Sequence, residues 1–548
     1  MTPGFLETFA RWAEDAPDRI ALSIWADGDA ETARLTFREL ADWSDHMARV
    51  LLARGMGGQH LVLAIEETEA FSVLFLACLK AGVTAVPVPA AGGATSQRRL
   101  AAILDVLGDA PTVCLEQHLD LLRGRLEGWE ILAFETLLAE RPPSTDLPEP
   151  DPQSIAFMQF SSGSTAEPKG ICVSAFNLAT NLVQMDRHYQ TPDHAVYVTW
   201  LPYFHDMGLI IGLLFPLHAG RKAIHMPTDK FYRRPLRWLK ALSGHEMAMS
   251  GAPTAAYDMC VRMTRESERE ALDLSGWKTA FVSAEIIRPR VLDQFADNFV
   301  SCGFERHRFL SGYGLAEATV MAASGPSTMK VFSENGRDVA RICSGVAAPG
   351  MSIRIADATG QRVDGQGCIW VKGPNLAPAV WRHHTTGLED LSLHRLEGED
   401  GLFYNTGDIG FLEGDDLYVV DRQNDVLNLG GRNLAAGDVE AVAHACAERL
   451  LSDDTTFECA VFAEDDGEKE NRIILCETSR KGMTDELRKD LSRAISRSVF
   501  QDFHFPLEVH FVRRGHLLRT TSGKIRRQAN RKAWTSGTLR ALELQAVE

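Results

Sequence analysis

The sequence contains no Cys-x-x-Cys pair and no cluster of cysteines, although it has 10 cysteines in 548 residues. Scattered single cysteines do not match the ligand spacing of zinc sites or of redox motifs, and disulfide frameworks belong mainly to small secreted chains. These absences argue against a zinc protein, a thiol oxidoreductase and a disulfide scaffold. We expect most of the cysteines to be small buried apolar residues.

The sequence also lacks an excess of positive charge. It has 57 lysine and arginine residues against 74 aspartate and glutamate residues, which gives a net charge of −17. Nonspecific nucleic-acid binding needs a basic surface, so no nucleic-acid partner is expected.

Long apolar runs are missing as well. Residues 1–22 show neither the basic segment nor the apolar core of a signal peptide. The most apolar stretch, residues 71–90, contains Lys80, Gly82 and two prolines, which favours a buried helix followed by a buried strand over a membrane span. We therefore expect a cytoplasmic protein without stable membrane insertion.

What the sequence does contain is a regular alternation of helical and strand patterns. Residues 36–54 have helical periodicity with Thr36 as a possible N-cap, and residues 60–66 follow as a buried strand. The alternation predicts an α/β fold with helices layered on a largely parallel sheet. The chain is too long for one core, so several domains or subdomains are expected.

Composition changes suggest where these parts meet. Residues 141–152 are rich in proline and acidic residues and are typical of a linker. Residues 350–371 predict a small β-rich subdomain, and residues 425–548 predict a separate small α+β domain.

The loop "FSSGSTAEPKG" at residues 160–170 follows an apolar strand. Glycine, hydroxyl groups and one lysine suit a phosphate-binding loop, although a Ser/Gly surface turn has the same composition. It is not a Walker A motif, because Gly170 follows Lys169 where that motif has serine or threonine.

Four further motifs follow in order: "GYGLAEAT" (312–319), "NTGDIGFL" (405–412), "DRQNDVLNLGGRNLAAGDVE" (421–440) and "RTTSGKIRR" (519–527). Together with the loop they resemble the AMP-forming adenylating superfamily, and "WLPYFHDMGLIIGLLFPLHAG" (200–220) and "SGAPTAAYDMC" (250–260) resemble its fatty-acyl-AMP ligases. The resemblance implies an N-terminal adenylate-forming domain (1–421), a hinge (422–424, with Asn424 or Asp425 as the pivot) and a mobile C-terminal domain (425–548). It implies that ATP and Mg²⁺ activate a fatty acid as acyl-AMP, which then acylates the phosphopantetheine thiol of an acyl carrier protein.

The resemblance also implies roles for individual residues. The β- and γ-phosphates would be held by the loop, through Ser161, Ser162, Gly163, Ser164, Thr165 and Lys169. Adenine would be lined by Ser283, Ala284, Glu285, Tyr313, Gly314 and Ala316. Asp408 would accept the ribose hydroxyls, Arg422 would add contacts to ribose or phosphate, and Glu317 would hold Mg²⁺. Each has a structural alternative, such as an Asx turn for Asp408 and a helix N-terminus for Glu317.

Lys524 is the candidate catalytic lysine, because an ammonium group reduces the repulsion between a carboxylate and the α-phosphate. It could instead belong to a solvated basic face. His205 is expected near the acyl and α-phosphate site, but neighbouring side chains rarely face each other, so we do not expect a His205–Asp206 dyad. Acyl contacts are expected from His205, Met207, Gly208, Gly251 and Tyr257, although core packing would explain most of these residues equally well.

Several positions depart from the family pattern. Ala166 stands where glycine is usual, the interval after "YGLAEAT" is short, and "GRNLAAGDVE" is altered. The last two departures leave the acyl acceptor open, whereas alanine in place of glycine at position 166 would stiffen the loop. An acyl-CoA synthetase on the same scaffold is the alternative, and a non-catalytic nucleotide-binding protein is an alternative of another class.

Overall fold

The computed structural model describes residues 4–89, 94–161, 168–334, 337–429, 432–451, 455–465, 470–479, 483–503, 505–519 and 525–542. The chain forms two compact units. Unit 1 comprises Met1–Gly365, Trp370–Thr406 and Leu412–Tyr418, and unit 2 comprises Gln366–Ile369, Gly407–Phe411 and Val419–Glu548. Two segments before residue 421 thus group with the C-terminal part of the chain.

The α-helices of the described residues are α1 (Phe5–Asp15), α2 (Phe37–Ala53), α3 (Thr68–Ala81), α4 (Ala94–Leu107), α5 (Glu116–Arg123), α6 (Phe134–Ala139), α7 (Ala175–Tyr189), α8 (Phe215–Ala219), α9 (Thr228–Arg233), α10 (Leu236–Leu242), α11 (Thr254–Met263), α12 (Glu266–Arg269), α13 (Pro289–Phe299), α14 (Ala436–Leu450), α15 (Asp485–Phe503) and α16 (Arg527–Thr535). A π-helix covers Met207–Leu214, and short 3-10 helices cover Val300–Cys302, Arg306–Arg308, Ala316–Ala318 and Gln423–Asp425.

The strands are β1 (Ile20–Ile24), β2 (Ala33–Thr36), β3 (His60–Leu63), β4 (Thr84–Pro87), β5 (Thr112–Cys114), β6 (Ile131–Ala133), β7 (Ile155–Ser161), β8 (Lys169–Ser174), β9 (Val196–Thr199), β10 (Lys222–His225), β11 (Ala248–Ala252), β12 (Trp277–Val282), β13 (Phe309–Tyr313), β14 (Ala323–Pro326), β15 (Met329–Glu334), β16 (Arg337–Ile342), β17 (Val346–Ala347), β18 (Ser352–Ala356), β19 (Gly367–Lys372), β20 (Ala379–His383), β21 (Gly387–Asp390), β22 (Leu393–His394), β23 (Phe403–Glu413), β24 (Asp416–Arg422), β25 (Val426–Leu429), β26 (Arg432–Ala435), β27 (Phe457–Asp465), β28 (Glu470–Thr478) and β29 (Glu508–Phe511).

Two large mixed sheets organise unit 1. In the described part of the chain, one sheet has nine strands in the order β17-β14-β13-β12-β11-β9-β10-β1-β2, and the other has eight in the order β21-β20-β8-β7-β4-β3-β5-β6. The run β13-β12-β11-β9-β10-β1 is parallel throughout, and β4, β3, β5 and β6 are parallel as well. The predicted α/β fold with a largely parallel sheet is confirmed.

Local signals in the sequence account for several of these elements. Thr36 caps α2: its side chain accepts the N–H of Glu39, and the Glu39 carboxylate accepts the N–H of Thr36 in return. The apolar stretch at 71–90 forms a buried helix, α3, followed by the buried strand β4. Among the described residues, no helix is long and apolar enough to cross a membrane.

The core of unit 1 is rich in aromatic rings. Trp238, Tyr257, Trp277, Phe295 and Phe309 pack against one another with ring centroids 5.1–6.1 Å apart. These rings are buried beneath the nine-stranded sheet and fix the positions of β11, β12 and β13. Such edge-to-face contacts add to the free energy of burial, so the strand ends that carry the candidate site rest on a rigid base.

Unit 2 has its own core. In the described residues, β27, β28 and β29 form one sheet, and β25 pairs with β26. Apolar side chains of α14, α15 and this sheet form one buried cluster. All ten cysteines are buried and none forms a disulfide, which agrees with the expectation that most of them are small buried apolar residues.

Candidate active site

The lysine of the candidate phosphate loop lies beside the candidate metal carboxylate. Lys169 begins β8, which pairs antiparallel with β7. Its Nζ donates to Oε1 of Glu317 at 3.1 Å, and the Tyr404 hydroxyl donates to the same oxygen at 3.1 Å. Two motifs that are 148 residues apart in the sequence therefore meet in unit 1.

Glu317 has the chemistry of a magnesium ligand. Its side chain is 13% exposed, and among the described residues neither of its two hydrogen-bond donors uses Oε2. Magnesium bound with a nucleotide takes one or two carboxylates together with phosphate oxygens and water. One partly exposed carboxylate beside a phosphate-type lysine fits that requirement.

The rest of the candidate phosphate loop is not placed. Ser162, Gly163, Ser164 and Thr165 lie outside the described residues, as does Lys524. Ser161 is described only as the last residue of β7. Their roles stay predictions.

The two segments predicted to line adenine are joined by a hydrogen bond. The Ser283 hydroxyl donates to the Gly312 carbonyl at 2.8 Å, which links the residue after β12 to β13. Gly314 has no room for a side chain, because a Cβ there would lie 1.6 Å from the Val320 carbonyl oxygen. Tyr313, at the end of β13, is buried.

Strained backbone marks the same two segments. Ala284 has φ of 73° and Thr319 has φ of 67°, values that are unfavourable for side chains with a Cβ, above all a β-branched one. The Thr319 hydroxyl donates to the Asn375 carbonyl at 2.8 Å, and the Asn375 amide donates to the Ala318 carbonyl at 2.8 Å. Such strain persists only where the surroundings enforce it, and it is concentrated at functional sites.

Some predicted contacts have structural partners instead. The Glu285 carboxylate accepts the N–H of Ala255 at 2.8 Å in the first turn of α11. Tyr257 is fully buried in the aromatic core and donates to the Phe281 carbonyl at 2.7 Å. Their side chains serve packing and capping, and any contact with substrate stays a prediction.

His205 and Asp206 do face each other, so the reason that we drew from their adjacency is wrong, and the prediction that they form no catalytic dyad stays a prediction. His205 Nδ1 lies 2.6 Å from Asp206 Oδ1, and Asp206 also accepts the N–H of Met207 at 2.8 Å as the N-cap of the π-helix. A loop turn just before the π-helix allows this contact. The Met207 N–H also lies 3.4 Å from Nδ1, so both of these contacts use Nδ1 and neither uses Nε2.

The π-helix borders an apolar cavity in unit 1. The cavity has a free volume of about 20 Å³, roughly the space of one water molecule. Of the predicted acyl contacts, Met207 and Gly251 line it, whereas His205, Gly208 and Tyr257 do not. The complete lining is Tyr197, Val198, Thr199, Leu201, Met207, Ile211, Gly212, Met249, Ser250, Gly251 and Phe281.

Unit 2 holds the candidate ribose residues. Asp408 is buried within β23, and its Oδ1 lies 3.3 Å from Nε of Arg422. The Arg422 side chain is 73% exposed, so this ion pair contributes little to stability. The two residues predicted to contact ribose are thus neighbours.

A buried carboxylate lies just before the predicted hinge. Asp421 accepts the N–H groups of Arg422 at 2.8 Å and Gly437 at 3.3 Å, and its side chain is 1% exposed. Burial raises the pKa of Asp421 to about 6. The positive charge of Arg527 acts to lower this pKa, whereas the negative charges of Asp425 and Glu440 act to raise it.

We expect Asp421→Asn to flatten the pH dependence of stability. The folded-state pKa is raised, so the stabilising contribution of Asp421 is complete below about pH 4 and is lost as the pH rises through about 6. The difference between a folded-state pKa of about 6 and the ordinary value of 3.8 corresponds to roughly 3 kcal/mol of folding free energy. Between pH 5 and pH 7.5 the melting temperature of unit 2, measured by calorimetry, should fall more in the wild type than in the variant. The exposed Glu486→Gln serves as control; equal slopes in all three proteins would contradict the assignment.

Known proteins resemble this chain over nearly its whole length. The medium-chain-fatty-acid–[acyl-carrier-protein] ligase TtuA of Teredinibacter turnerae is 26% identical, over 96% of this chain and 93% of TtuA. A structure from a study of fatty acyl-adenylate ligases from E. coli and L. pneumophila has a TM-score of 0.86 at 24% identity, covering 98% of each chain. The L. pneumophila fatty acyl-adenylate ligase in complex with acyl adenylate and pyrophosphate has a TM-score of 0.72 at 26% identity, covering 99% of this chain and 98% of that one.

The fold is therefore that of the adenylate-forming enzymes. A family model described as AMP-binding enzyme matches residues 9–381, well over half of the chain. The resemblance drawn from the five motifs is confirmed, and the protein belongs to the family of AMP-binding enzymes.

Proposed function

We propose that the protein activates a fatty acid as acyl-AMP, with release of pyrophosphate, and transfers the acyl group to the phosphopantetheine thiol of an acyl carrier protein. The observation that carries the first step is the contact of Lys169 and Tyr404 with one oxygen of Glu317. A lysine at the start of β8 that contacts a carboxylate, and that follows a Gly/Ser motif in the sequence, suits a magnesium-bound triphosphate.

In the first half-reaction the fatty-acid carboxylate oxygen attacks the α-phosphorus of ATP. A new oxygen–phosphorus bond forms, the bond between the α-phosphorus and the bridging oxygen breaks, and pyrophosphate leaves. Lys169 would hold the departing phosphates, Glu317 would hold Mg²⁺ with Tyr404 fixing its orientation, and Lys524 would offset the charge between the two anionic reactants. Magnesium supplies charge neutralisation on the phosphates.

The nucleoside would be held by the remaining residues. The joined segments at Ser283 and Gly312 would form the wall of the adenine site, with Tyr313 beside it. Asp408 would accept the ribose hydroxyls and Arg422 would stay mobile enough to follow the nucleotide, since its side chain is largely exposed. The predicted domains, 1–421 and 425–548 with a hinge at 422–424, are part of this proposal.

The acyl chain would enter the cavity beside the π-helix. The lining is mainly apolar, and Met207, Gly251 and Phe281 contribute to it. Its small volume means that side chains must move when a chain of several carbons binds. His205, oriented by Asp206, would face the carboxylate end of the substrate through Nε2.

In the second half-reaction the thiol sulfur attacks the acyl carbonyl, AMP leaves and the thiol proton is released to solvent. The carrier-protein acceptor is supported by the relative TtuA, whose name describes a ligase acting on medium-chain fatty acid and acyl carrier protein. We place the reaction in the cytoplasm, where ATP and acyl carrier proteins are available.

The test is a reaction of the protein with ATP, Mg²⁺ and a mixture of straight-chain acids from butanoate to octadecanoate. One sample receives coenzyme A and another a holo-carrier protein, and intact products are identified by mass spectrometry. Acyl-AMP together with acyl-carrier, and little acyl-CoA, is the expected result. Efficient acyl-CoA formation would show that coenzyme A, and not a carrier protein, is the acyl acceptor. Absence of acyl-AMP with every acid would overturn the proposal.

Gly212→Ala should shift the substrate preference toward shorter acids. Gly212 lines the cavity, and a Cβ there would lie 3.0 Å from Thr199 Oγ1 and 3.1 Å from its Cγ2. The displaced threonine narrows the cavity, so we expect kcat/KM for the longest accepted acid to fall roughly tenfold, a cost typical of one added methyl group. A uniform loss for all chain lengths would show that this residue does not limit chain length.

A further inference from the structure

One arginine ties the predicted hinge turn to the rest of unit 2. Arg527 is the first residue of α16, and its side chain is 17% exposed. It donates through Nε and Nη2 to the two carboxylate oxygens of Glu440, each at 2.7 Å. Its Nη1 donates to Asp425 Oδ2 at 3.0 Å. Asp425 ends the 3-10 turn Gln423–Asp425.

The contacts of Arg527 with Glu440 and with Asp425 have different structural roles. Glu440 lies in α14, is 4% exposed, and also accepts the N–H of Val461 in β27 at 3.2 Å. Its bidentate pair with Arg527 therefore fastens α16 to the core of unit 2. The bond to Asp425 fastens the turn to the helix, and the same Nη1 lies 3.6 Å from Oδ1 of the buried Asp421 in β24. Gln528, one residue further along α16, adds a longer contact of 3.5 Å to Asp425.

We propose that Arg527 is a positioning residue that holds the turn Gln423–Asp425 against α16 and that adenylate formation needs this attachment. The inference rests on the proposed function, in which Lys524 acts three residues before Arg527 in the sequence. Arg527 thus ties the first residue of α16 both to α14 and to the turn Gln423–Asp425.

The choice of variant decides whether a structural role can be separated from a positioning role. Arg527→Gln would leave Glu440 and Asp421 buried without their cation, which is strongly destabilising. Asp425→Ala is the sharper change, because it removes the turn's bond and leaves the Arg527–Glu440 pair intact. The control is Gln423→Ala in the same turn, whose side chain is exposed.

Hydrogen–deuterium exchange of the complete protein tests the attachment directly. We expect Asp425→Ala to speed amide exchange roughly tenfold in peptides covering residues 419–429 and the first turn of α16, the effect of losing one charge-assisted hydrogen bond. Exchange in α14 and the melting temperature should stay unchanged. Gln423→Ala should exchange like the wild type.

Steady-state kinetics of pyrophosphate release test the consequence. Asp425→Ala should lower kcat roughly tenfold, by the same lost interaction, with KM for ATP within about twofold of the wild-type value. Unchanged exchange in both segments would overturn the inference even if the wild type showed no adenylation, so the two proposals fail separately. Faster exchange with an unchanged kcat in an active enzyme would also overturn it, since the attachment would then be purely structural.

Discussion

We expect Glu317→Gln to lower the rate of pyrophosphate formation by about 10²–10³, the usual cost of losing a group that stabilises transition-state charge. Glutamine has the size of glutamate and keeps an oxygen that can accept from Lys169 and Tyr404, which both lie 3.1 Å from Oε1. The geometry is preserved and the negative charge for Mg²⁺ is lost. The rate of pyrophosphate release, followed over a magnesium titration, measures the effect.

Tyr404→Phe is the matched control for Glu317→Gln. It removes one hydrogen bond to the same oxygen but leaves the carboxylate charged, so we expect a loss of no more than about tenfold. Melting temperatures of both variants should stay near that of the wild type, because Glu317 and Lys169 are partly exposed. A Glu317→Gln enzyme that kept most of its rate at low magnesium would remove Glu317 from the metal site.

Lys524→Ala should lower adenylate formation by about 10²–10³ as well, for a different reason. Without the ammonium group, the fatty-acid carboxylate and the α-phosphate meet as two uncompensated anions. The second half-reaction does not join two anions, so transfer from preformed acyl-AMP to the carrier thiol should keep most of its rate. The two half-reactions are measured separately, by pyrophosphate release and by mass spectrometry of the carrier.

Lys532→Ala provides the control for charge alone. Lys532 lies in α16 and is exposed, so its removal changes the net charge by the same amount in the same region. We expect both half-reactions to be unaffected by Lys532→Ala. Equal losses in Lys532→Ala and Lys524→Ala would mean that Lys524 acts only as part of a basic surface.

The fold could be predicted wherever a local signal and a tertiary requirement agreed. The capping box at Thr36 and Glu39 begins α2 as predicted, and the interrupted apolar run at 71–90 became α3 and β4. The pairing order of the strands could not be predicted, because β20 joins β8 across some two hundred residues and no local pattern encodes such a partner. The grouping of Gly407–Phe411 with unit 2 has the same origin.

The sequence motifs predicted the main residues of the candidate site but not the residues that hydrogen-bond to them. Tyr404 directly precedes the motif at 405–412 that contains Asp408, so its position beside that motif is the signal that could have pointed to it. Asn375, which holds the strained Thr319 segment, carries no signal in the sequence. The contact of Asp206 with His205 was excluded on a rule about neighbours, and a specific turn before the π-helix overrides that rule.

The burial of every cysteine leaves no thiol exposed on the surface of the native protein. A thiol reagent can modify such a chain only when part of it opens, so the rate of labelling measures local unfolding. Cys446, Cys459 and Cys476 report on unit 2, and Cys78 and Cys260 report on unit 1. The order in which these sulfurs react, read by peptide mapping, would rank the two units by how readily each one loosens.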